Sequence, residues 1–426
     1  MLKYVTIFAL TLTACATAPA PTQAAAVKPV PVPSLAPNRD PAIMAQAEKF
    51  KAWQADFIAR AIAKGYNAQT VRGLINGAKF KPSAIKANNS QPEFTKPIWS
   101  YVKGAASGPR LESGKSKLAS NTGSFDRIEA AYGVDRNILT AIWGLESNFG
   151  SNLGTYDVVD ALSSFAYDGR RMAFGEAQLF AVLDLLRDRK VRREQLKSSW
   201  AGAMGMTQFI PATFRDYAVD FDGDGNMNLW GNAQDALGSA ANYLSKSGWE
   251  RGLPVMAEVK LPAGFDYSLS DGRKKTVSEW AALGAAPVQG GGFTPAAANV
   301  AAKLYIPAGS KGPALLTFKN FDVIKRYNNS NSYAMGITAL ALGFDGKRAI
   351  STPWPEGDEA LSLTQKKKLQ EALTRQGFKT GGVDGLIGPN SMAAIRGWQA
   401  ANGAVADGYV EKRLWLRILK GAGMTP

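Results

Sequence analysis

The sequence predicts an α+β protein that is mostly α-helical. Apolar residues recur at helical spacing along most of the chain, as in Ile138, Ile142 and Leu145, which are separated by four and three residues. The stretch 254–320 departs from this spacing and predicts a small β-containing insertion. A separate apolar pattern after residue 360 predicts a second, helical domain.

Composition excludes several kinds of catalysis. The 426 residues contain no histidine and one cysteine, Cys15. This removes histidine-dependent triads, histidine metal sites and any intrachain disulfide. Acid–base chemistry must therefore come from Asp, Glu, Tyr or Lys. The net charge of +15 predicts an anionic partner such as a cell-wall polymer, a lipid surface or nucleic acid.

The N-terminal segment has the pattern of an export signal. Residues 1–14 join a basic start to an apolar run that is too short to span a membrane. The residues LTAC, ending at Cys15, resemble the lipobox of bacterial lipoproteins and imply lipid attachment to the cysteine sulfur. Alanine rather than aspartate follows, which favours the periplasmic face of the outer membrane of a Gram-negative bacterium. The alternative is an ordinary secretory signal with an incidental cysteine.

The remaining elements follow in order. Residues 15–40 are rich in alanine and proline, which predicts an extended tether. Val255, Ala257, Val259 and Leu261 alternate with Met256, Glu258 and Lys260, which predicts a strand, and 351–359 is a proline-bearing linker. Helices are predicted at 50–63, 68–77, 125–132, 135–150, 173–187, 232–246 and 327–342. The predicted core of the tail, 360–426, contains Leu369, Leu373, Ala393, Ile395, Trp398, Leu414, Leu416 and Leu419.

Glu146 is a candidate catalytic acid. It lies near the end of the predicted helix 135–150, for which Asp135 would be the N-cap and Gly150 the stop. Its spacing of four from Ile142 places it on the apolar side, where burial and the helix dipole disfavour a charged carboxylate. A general acid working near neutral pH needs the protonated form. The alternative is an exposed glutamate at a fraying helix end.

The segment SWAGAMGMTQFIPATF (199–214) is a candidate substrate loop. Its run of glycine and alanine allows a ligand to approach the backbone closely. Gln208 could hydrogen-bond a sugar hydroxyl or an acetamido group. The alternative is a tightly packed connection between two helices.

The acidic segment DFDGDGNMNLWG (220–231) matches the first half of an EF-hand loop. Position twelve is Gly231 rather than the usual glutamate, so Asp235 would have to supply a carboxylate. The pattern predicts a weak structural site for Ca²⁺ or Na⁺, and no cofactor is predicted for catalysis. The alternative is a solvated acidic turn. The expected ligands are Asp220, Asp222, Asp224, Asn226, Asn228 and Asp235.

Two more segments have a composition that suits binding. Arg170 and Arg171 could bind the carboxylate of a lactyl group or a peptide stem, although a surface basic pair is the alternative. The segment RYNNSNSY (326–333) groups two tyrosines with several amides, which suits sugar faces and hydroxyls.

Several segments, taken in order, resemble the membrane-bound lytic murein transglycosylase B family over about 40–350. They are GLESNFG, the arginine pair, the substrate loop, the acidic loop and RYNNSNSY. The tail resembles a three-helix peptidoglycan-binding domain through LQEAL and VDGLIG. The resemblance implies a lysozyme-like catalytic domain at 41–350, with Glu146 as its single catalytic acid. It also implies that the sugar cleft is lined by Ser199, Gln208, Tyr327, Asn328 and Tyr333.

The resemblance implies cleavage of the bond between N-acetylmuramic acid and N-acetylglucosamine without water, giving 1,6-anhydromuramoyl ends. Glu146 would act first as acid and then as base. One alternative is a hydrolytic muramidase, which would need a second carboxylate; Asp157 and Asp160 are the first acids that follow Glu146 in the sequence. Another is a non-catalytic lipoprotein that binds peptidoglycan. Nucleic acid is not expected, because an exported lipoprotein rarely meets it.

Overall fold

The computed structural model describes residues 41–87, 97–169 and 171–426, with side chains from residue 45 onward. The predicted signal peptide, Cys15, the tether and Arg170 lie outside the described residues. Helices make up 55% of the structure and strands 7%, which confirms the predicted mostly α class with a small sheet. Within the described ranges, no helix has both the length and the apolar character needed to cross a membrane. The packing described below is that of residues 50–426.

Helices form nearly all of the structure before the sheet. They are α1 (Pro41–Ala63), α2 (Ala68–Asn76), α3 (Pro82–Ala87), α4 (Ile98–Ala105), α5 (Gly108–Ser120), α6 (Thr122–Tyr132), α7 (Arg136–Ser147), α8 (Val158–Asp168), α9 (Met172–Arg187), α10 (Pro211–Tyr217) and α11 (Ala233–Lys246). Two short strands, β1 (Tyr156–Asp157) and β2 (Lys197–Ser198), pair antiparallel between them. The helices predicted from apolar periodicity before residue 250 are confirmed.

Helix α7 begins as predicted but ends earlier. The Asp135 carboxylate caps it by accepting two backbone N–H groups of the first turn, at 2.8 and 3.3 Å. The predicted stop at Gly150 is wrong, because the helix ends at Ser147. Asn148 and Phe149 then take left-handed backbone angles, with φ of 49° and 58°. Asparagine tolerates this conformation, so the chain can turn before it reaches the glycine.

Two apolar cores lie on either side of the substrate loop. The first surrounds α7 and includes Leu139, Ile142, Leu237 and Ile337. The second surrounds α8 and α9 and includes Phe57, Leu162, Val182 and Leu183. Met206, Tyr243 and Tyr327 pack against both cores. The loop that carries Met206 is therefore fixed where the two cores meet.

The predicted insertion contains an antiparallel five-stranded sheet with strand order β4-β6-β7-β3-β5. Its strands are β3 (Met256–Lys260), β4 (Lys274–Thr276), β5 (Ala286–Pro287), β6 (Ala301–Tyr305) and β7 (Ala314–Thr317). Helix α12 (Val277–Ala282) covers one face, and its buried Trp280 donates Nε1–H to the Ala302 carbonyl at 3.0 Å. Val259 joins this small core, whereas Met256 joins the core around α7. Apolar packing on both sides fixes the sheet to the helical part.

The chain returns to helix in two pieces rather than one. The prediction of one helix over 327–342 is wrong, because α13 (Lys319–Tyr327) and α14 (Asn331–Phe344) are separated by 328–330. Ser330 caps α14 by accepting the backbone N–H of Tyr333 at 3.3 Å. Asparagine and serine side chains compete for backbone hydrogen bonds, which favours an interruption at this point.

The tail forms three helices, α15 (Leu363–Arg375), α16 (Pro389–Ala401) and α17 (Lys412–Gly421), around a core of its own. Of the predicted core residues, Leu369, Leu373, Ile395, Trp398, Leu414 and Leu419 are buried. Ala393 is exposed and Leu416 is 41% exposed, so these two predictions are wrong. Ala394 and Trp415 face the core instead, each one position from the residue expected there.

Candidate functional site

The Glu146 side chain is half-buried in the last turn of α7. The Tyr333 hydroxyl, on the first turn of α14, donates a hydrogen bond to Glu146 Oε1 at 2.6 Å. These residues are 187 positions apart, so only the packing of α14 against α7 brings them together. The bond fixes the orientation of a carboxyl group that lines an open cavity.

Two tyrosines stand beside this carboxyl group. The rings of Tyr327 and Tyr333 stack with centroids 6.5 Å apart and an interplanar angle of 10°. The Tyr327 hydroxyl donates to the Thr207 carbonyl in the substrate loop. Burial raises the pKa of both phenols well above the ordinary value, and the negative charge of Glu146 adds to the shift. Both hydroxyls therefore remain protonated donors at neutral pH.

Ser147 joins the end of α7 to the substrate loop. Its buried hydroxyl donates to the Met206 carbonyl at 2.6 Å and accepts the Gly150 N–H at 2.9 Å. The side chain is 1% exposed, so water cannot easily replace either bond. The residue next to the candidate acid thus fixes the distance between the acid and the loop.

The substrate loop is tightly packed because its glycines allow it to be. A Cβ at Gly202 would lie 2.7 Å from Leu162 Cδ2, and one at Gly205 would lie 2.6 Å from the Leu229 carbonyl oxygen. Both glycines have positive φ, 80° and 72°. The segment 199–214 is therefore a tightly packed connection, as the alternative interpretation predicted. Its inner side contacts the core, and its outer side lines the cavity.

The cavity at Glu146 has a volume of about 550 Å³. Glu146, Ser199, Gln208, Tyr327 and Asn328 line it, and Tyr333 lies behind the carboxyl group with 2% of its surface exposed. The Gln208 side chain donates Nε2–H to the Gly205 carbonyl at 2.9 Å, so its own loop holds the amide. The structure thus brings together all the sugar-cleft residues that the resemblance implied.

Sequence reasoning missed one wall of this cavity. The segment after α7 contributes Asn152 and 154–156. A Cβ at Gly154 would lie 2.1 Å from the Ser198 carbonyl oxygen, so only glycine lets this segment approach the substrate loop. The residues of this wall have no apolar periodicity, and the glycine was the only signal in the sequence.

The first two acids that follow Glu146 in the sequence do not line the cavity. Asp157 caps α8 and pairs with Arg193 at 2.7 Å. Asp160 is buried and accepts the Lys79 backbone N–H at 2.8 Å. Among the described residues that line the cavity, Glu146 is the only one with a carboxyl group.

The acidic loop brings three carboxylates together. Oxygen atoms of Asp220, Asp222 and Asp235 all lie within 4.8 Å of one another, and Asp235 is fully buried. None of the three pairs with a described lysine or arginine. Such a set fits a hard cation. The other predicted ligands, Asp224, Asn226 and Asn228, lie on the same loop, and Asn228 Oδ1 already accepts the Gly231 N–H at 2.9 Å.

Arg171 packs on aromatic rings at the start of α9. Its guanidinium lies 4.1 Å from the Phe174 ring centroid and 5.2 Å from that of Phe165. The Phe165 ring in turn contacts Trp200, which lines the cavity, with centroids 6.2 Å apart. Arg171 is therefore one aromatic layer away from the cavity.

Among the described residues, the cavity holds one acid beside tyrosines and amides, a composition that suits the cleavage of a glycan. The chain belongs to the lytic transglycosylases: residues 49–342 match the transglycosylase SLT domain family, and residues 364–418 match a peptidoglycan-binding domain family. It is a lytic murein transglycosylase, a lyase that acts on peptidoglycan. This excludes the non-catalytic alternative.

Known relatives cover most of the chain. The membrane-bound lytic murein transglycosylase B of Escherichia coli (strain K12) is 32% identical over 67% of this chain and 80% of its own length. SltB3 from Pseudomonas aeruginosa, solved in complex with NAG-anhNAM-pentapeptide, is 44% identical with a TM-score of 0.83, over 87% of this chain and 99% of its own. The E. coli lytic transglycosylase Slt35, solved in complex with calcium, is 30% identical with a TM-score of 0.59, over 68% of this chain and 92% of its own.

Proposed function

We propose that Glu146 performs both proton transfers of the non-hydrolytic cleavage of the bond between N-acetylmuramic acid and N-acetylglucosamine. The observation that carries this proposal is the composition of the cavity lining, in which Glu146 is the only carboxyl group among the described residues. A hydrolytic muramidase with two carboxylates would need a second one facing the same sugar.

In the first step, protonated Glu146 gives its proton to the glycosidic oxygen. The bond between that oxygen and C1 of the muramoyl sugar breaks, and its electron pair stays on the departing oxygen. The carbonyl oxygen of the muramoyl N-acetyl group forms a bond to C1 and takes the place of a protein nucleophile. Tyr333 stabilises the carboxylate that remains, because its hydroxyl already donates to Oε1 at 2.6 Å.

In the second step, the C6 hydroxyl of the same sugar attacks C1. Its proton passes to the Glu146 carboxylate while the bond between C1 and the acetyl oxygen breaks. This restores the acetamide and the protonated acid, and it closes a 1,6-anhydro ring. No water is consumed. The walls formed by the substrate loop and by 154–156 would keep the muramoyl sugar in place between the two steps.

Mass spectrometry of muropeptides released from purified sacculi tests the proposal. The wild-type chain should release products lighter by one water than hydrolytic products, with no reducible end. Glu146→Gln should fold but release none, since positioned proton transfer is worth roughly 10²–10⁴-fold. Glu194→Gln, at an exposed glutamate outside the cavity, is the matched control and should behave as wild type. Full turnover by Glu146→Gln, or reducible ends from the wild type, would contradict the proposal.

We also propose that Asp220, Asp222 and Asp235 hold a calcium ion with a structural role. The ion would neutralise three converging carboxylates. The Asn228 N–H donates to the Asp235 carboxylate at 2.8 Å, and the Met206 N–H donates to the carbonyl of the next residue, Leu229, at 2.8 Å. The acidic loop therefore supports the substrate loop from behind, and the expected consequence is stability rather than chemistry.

For location, we propose a lipid anchor at Cys15 in the outer membrane, facing the periplasm of a Gram-negative bacterium. The lipobox-like residues before Cys15 support this, as does the membrane-bound E. coli relative. Incorporation of radiolabelled palmitate into the wild-type chain but not into Cys15→Ser would be the expected result. Equal labelling of both would contradict it.

A further inference from the structure

A second cavity, of about 540 Å³, lies where α7 begins and α14 ends. We call it the remote cavity, because Glu146 and Tyr333 lie near the opposite ends of these two helices. The end of α6 and the segment 249–256 complete its wall, and it shares no lining residue with the cleft. Its volume falls within the range of roughly 300–1,000 Å³ that is usual for sites that bind small molecules.

The floor of the remote cavity is apolar. Its buried side chains come from separate segments, so the packing of several elements creates it. The half-buried ring of Trp249 borders this floor, and its indole N–H has no acceptor among the described residues. Such a lining suits an apolar body with a few polar groups at its edge. The buried floor residues are Val134, Ile138, Val255, Met256 and Ala341.

Two carboxylates form the acidic edge of the remote cavity. Asp135 uses Oδ1 to cap α7, whereas its Oδ2 has no hydrogen-bond partner among the residues that the structure describes. Asp345 accepts the side-chain N–H of Asn137 at 3.0 Å, and its other oxygen lies 3.8 Å from Lys347 Nζ. Desolvation raises the pKa of Asp135, and the charges of Glu129 and Asp345 raise it further. An ammonium group at this edge would therefore be stabilised.

Arg251 forms the basic edge of the remote cavity. Its Nη2 donates to the backbone carbonyls of Glu129 at 2.6 Å and Ala130 at 3.2 Å, at the end of α6. Its Nε and Nη1 have no acceptor in the described part of the chain, and it forms no ion pair there. A Cβ at Gly133 would lie 2.9 Å from Nε, so the glycine makes room for the guanidinium. A carboxylate from a ligand would satisfy the remaining N–H groups.

The two edges are about the length of a short peptide apart. Arg251 Nε borders Gly133, and the Cα atoms of Gly133 and Asp135 are at most about 7 Å apart along the chain. An extended dipeptide also spans roughly 7 Å between its charged ends. The cavity therefore fits a zwitterion with an apolar side chain, whose ammonium faces the two carboxylates and whose carboxylate faces the guanidinium.

The remote cavity also touches both helices that hold Glu146 and Tyr333. At this end, Asn137 on α7 donates to Asp345 just after α14 at 3.0 Å. At the other end, Tyr333 on α14 donates to Glu146 on α7 at 2.6 Å. Eleven positions separate Asp135 from Glu146, about 16 Å along α7. An ammonium bound to Asp135 and Asp345 together would add a second connection between the helices and restrict their sliding.

We propose that the remote cavity binds a short free peptide with an apolar side chain, and that the bound peptide raises the rate of cleavage at Glu146. The ammonium of the peptide pairs with Asp135 and Asp345, its carboxylate pairs with Arg251, and its side chain covers the apolar floor. Binding stands on these groups alone, whereas the effect on the rate rests on the proposed role of Glu146. The enzyme would thus respond to peptides that never enter the cleft.

Calorimetry with the whole chain tests the site, with Leu-Leu, N-acetyl-Leu-Leu and Leu-Leu-amide as probes. Leu-Leu should bind, and blocking either charged end should weaken binding about tenfold, as for the loss of one charge-assisted contact. Asp135→Asn keeps an oxygen that can cap α7. It should weaken Leu-Leu but not N-acetyl-Leu-Leu, whereas Arg251→Gln should weaken Leu-Leu but not Leu-Leu-amide. Asp168→Asn, at an exposed aspartate that ends α8, is the control and should change none of these affinities.

Two results would overturn the binding inference. Equal affinity of the wild type for all three probes would mean that the cavity recognises only apolar surface. Free leucine that binds as tightly as Leu-Leu would mean that the site does not recognise a peptide. Because blocked probes remove each charge from the ligand, the test does not depend on how well the Arg251→Gln chain folds.

Release of anhydro-muropeptides from sacculi tests the effect on the rate. Saturating Leu-Leu should raise the wild-type rate about fivefold, the low end of coupling between two sites, and Asp135→Asn should need about ten times more peptide for the same rise. Binding without a change in rate would refute the coupling. If the wild type gives no anhydro products even without the peptide, the cleavage assignment fails, and calorimetry still decides whether the peptide site exists.

Discussion

Replacing Tyr333 with phenylalanine tests whether the proposed role of Glu146 depends on the hydroxyl that donates to its carboxyl group. The substitution removes the 2.6 Å bond to Glu146 Oε1 and keeps the ring that stacks on Tyr327. Tyr333 is 2% exposed, so water cannot readily replace the lost donor. A hydrogen bond to a charged acceptor contributes about 1.5–3 kcal/mol. In the proposed mechanism Glu146 gains its charge during the first step, so this loss falls on the reaction, and kcat should drop roughly 10- to 100-fold.

The assay is release of anhydro-muropeptides from sacculi at saturating substrate, with melting temperature measured in parallel. Tyr327→Phe is the matched control, since its hydroxyl bonds to the Thr207 carbonyl rather than to Glu146; its kcat should fall less. Burial and the charge of Glu146 raise the pKa of Tyr333, so the neutral donor persists and is lost only as the pH rises through that raised value. The wild-type rate should therefore show no loss from Tyr333 up to about pH 10. Full activity of Tyr333→Phe, or a loss near pH 8 that this variant abolishes, would refute the reasoning.

Two further substitutions test what holds the site together. Ser147→Ala leaves the Met206 carbonyl and the Gly150 N–H without a partner, at about 1–3 kcal/mol each, so the urea midpoint and kcat should both fall. Ser116→Ala, at an exposed serine of α5, is the control and should change neither. An unaltered Ser147→Ala would show that the acid does not depend on this bond. Calcium should raise the melting temperature of the wild type, and Asp235→Asn should abolish that rise. At a calcium concentration of a hundred times Kd, the free energy of unfolding should increase by about 2.7 kcal/mol. The same rise in both chains would place calcium elsewhere.

Local pattern was sufficient to predict the element that carries the acid. The spacing of Ile138 and Ile142 and the cap at Asp135 predicted helix α7, since amphipathic periodicity and capping act over one or two turns. The glycine and alanine content singled out the substrate loop, and the family resemblance named Ser199 and Gln208 within it. It placed Ala393 and Leu416 in the tail core wrongly, because an apolar residue beside a buried one resembles it in a short window and only packing decides which one faces inward.

Contacts between distant segments could not be predicted in this way. The Tyr333 to Glu146 bond joins residues that no local spacing relates. The break at 328–330 is equally hidden, because the flanking sequences read as continuous helix, yet it is this break that lets α14 start where Tyr333 meets the acid. The contact of Asp407 with Ser310 depends on the two domains being docked, which the proline-bearing linker did not suggest.

Strained backbone conformations near Glu146 indicate that surrounding contacts hold the walls of this cleft in fixed positions. In the described part of the chain four non-glycine residues have positive φ, and three of them, Asn148, Phe149 and Gln208, lie beside the acid or in the substrate loop. Such conformations cost on the order of 1–3 kcal/mol each and persist only where surrounding contacts impose them. The bond from Ser147 to the substrate loop is one such contact. In the proposed mechanism the nucleophiles come from the substrate itself, so the rate depends on how firmly the walls hold the muramoyl sugar. That requirement explains why the fold stabilises strained segments on both sides of Glu146.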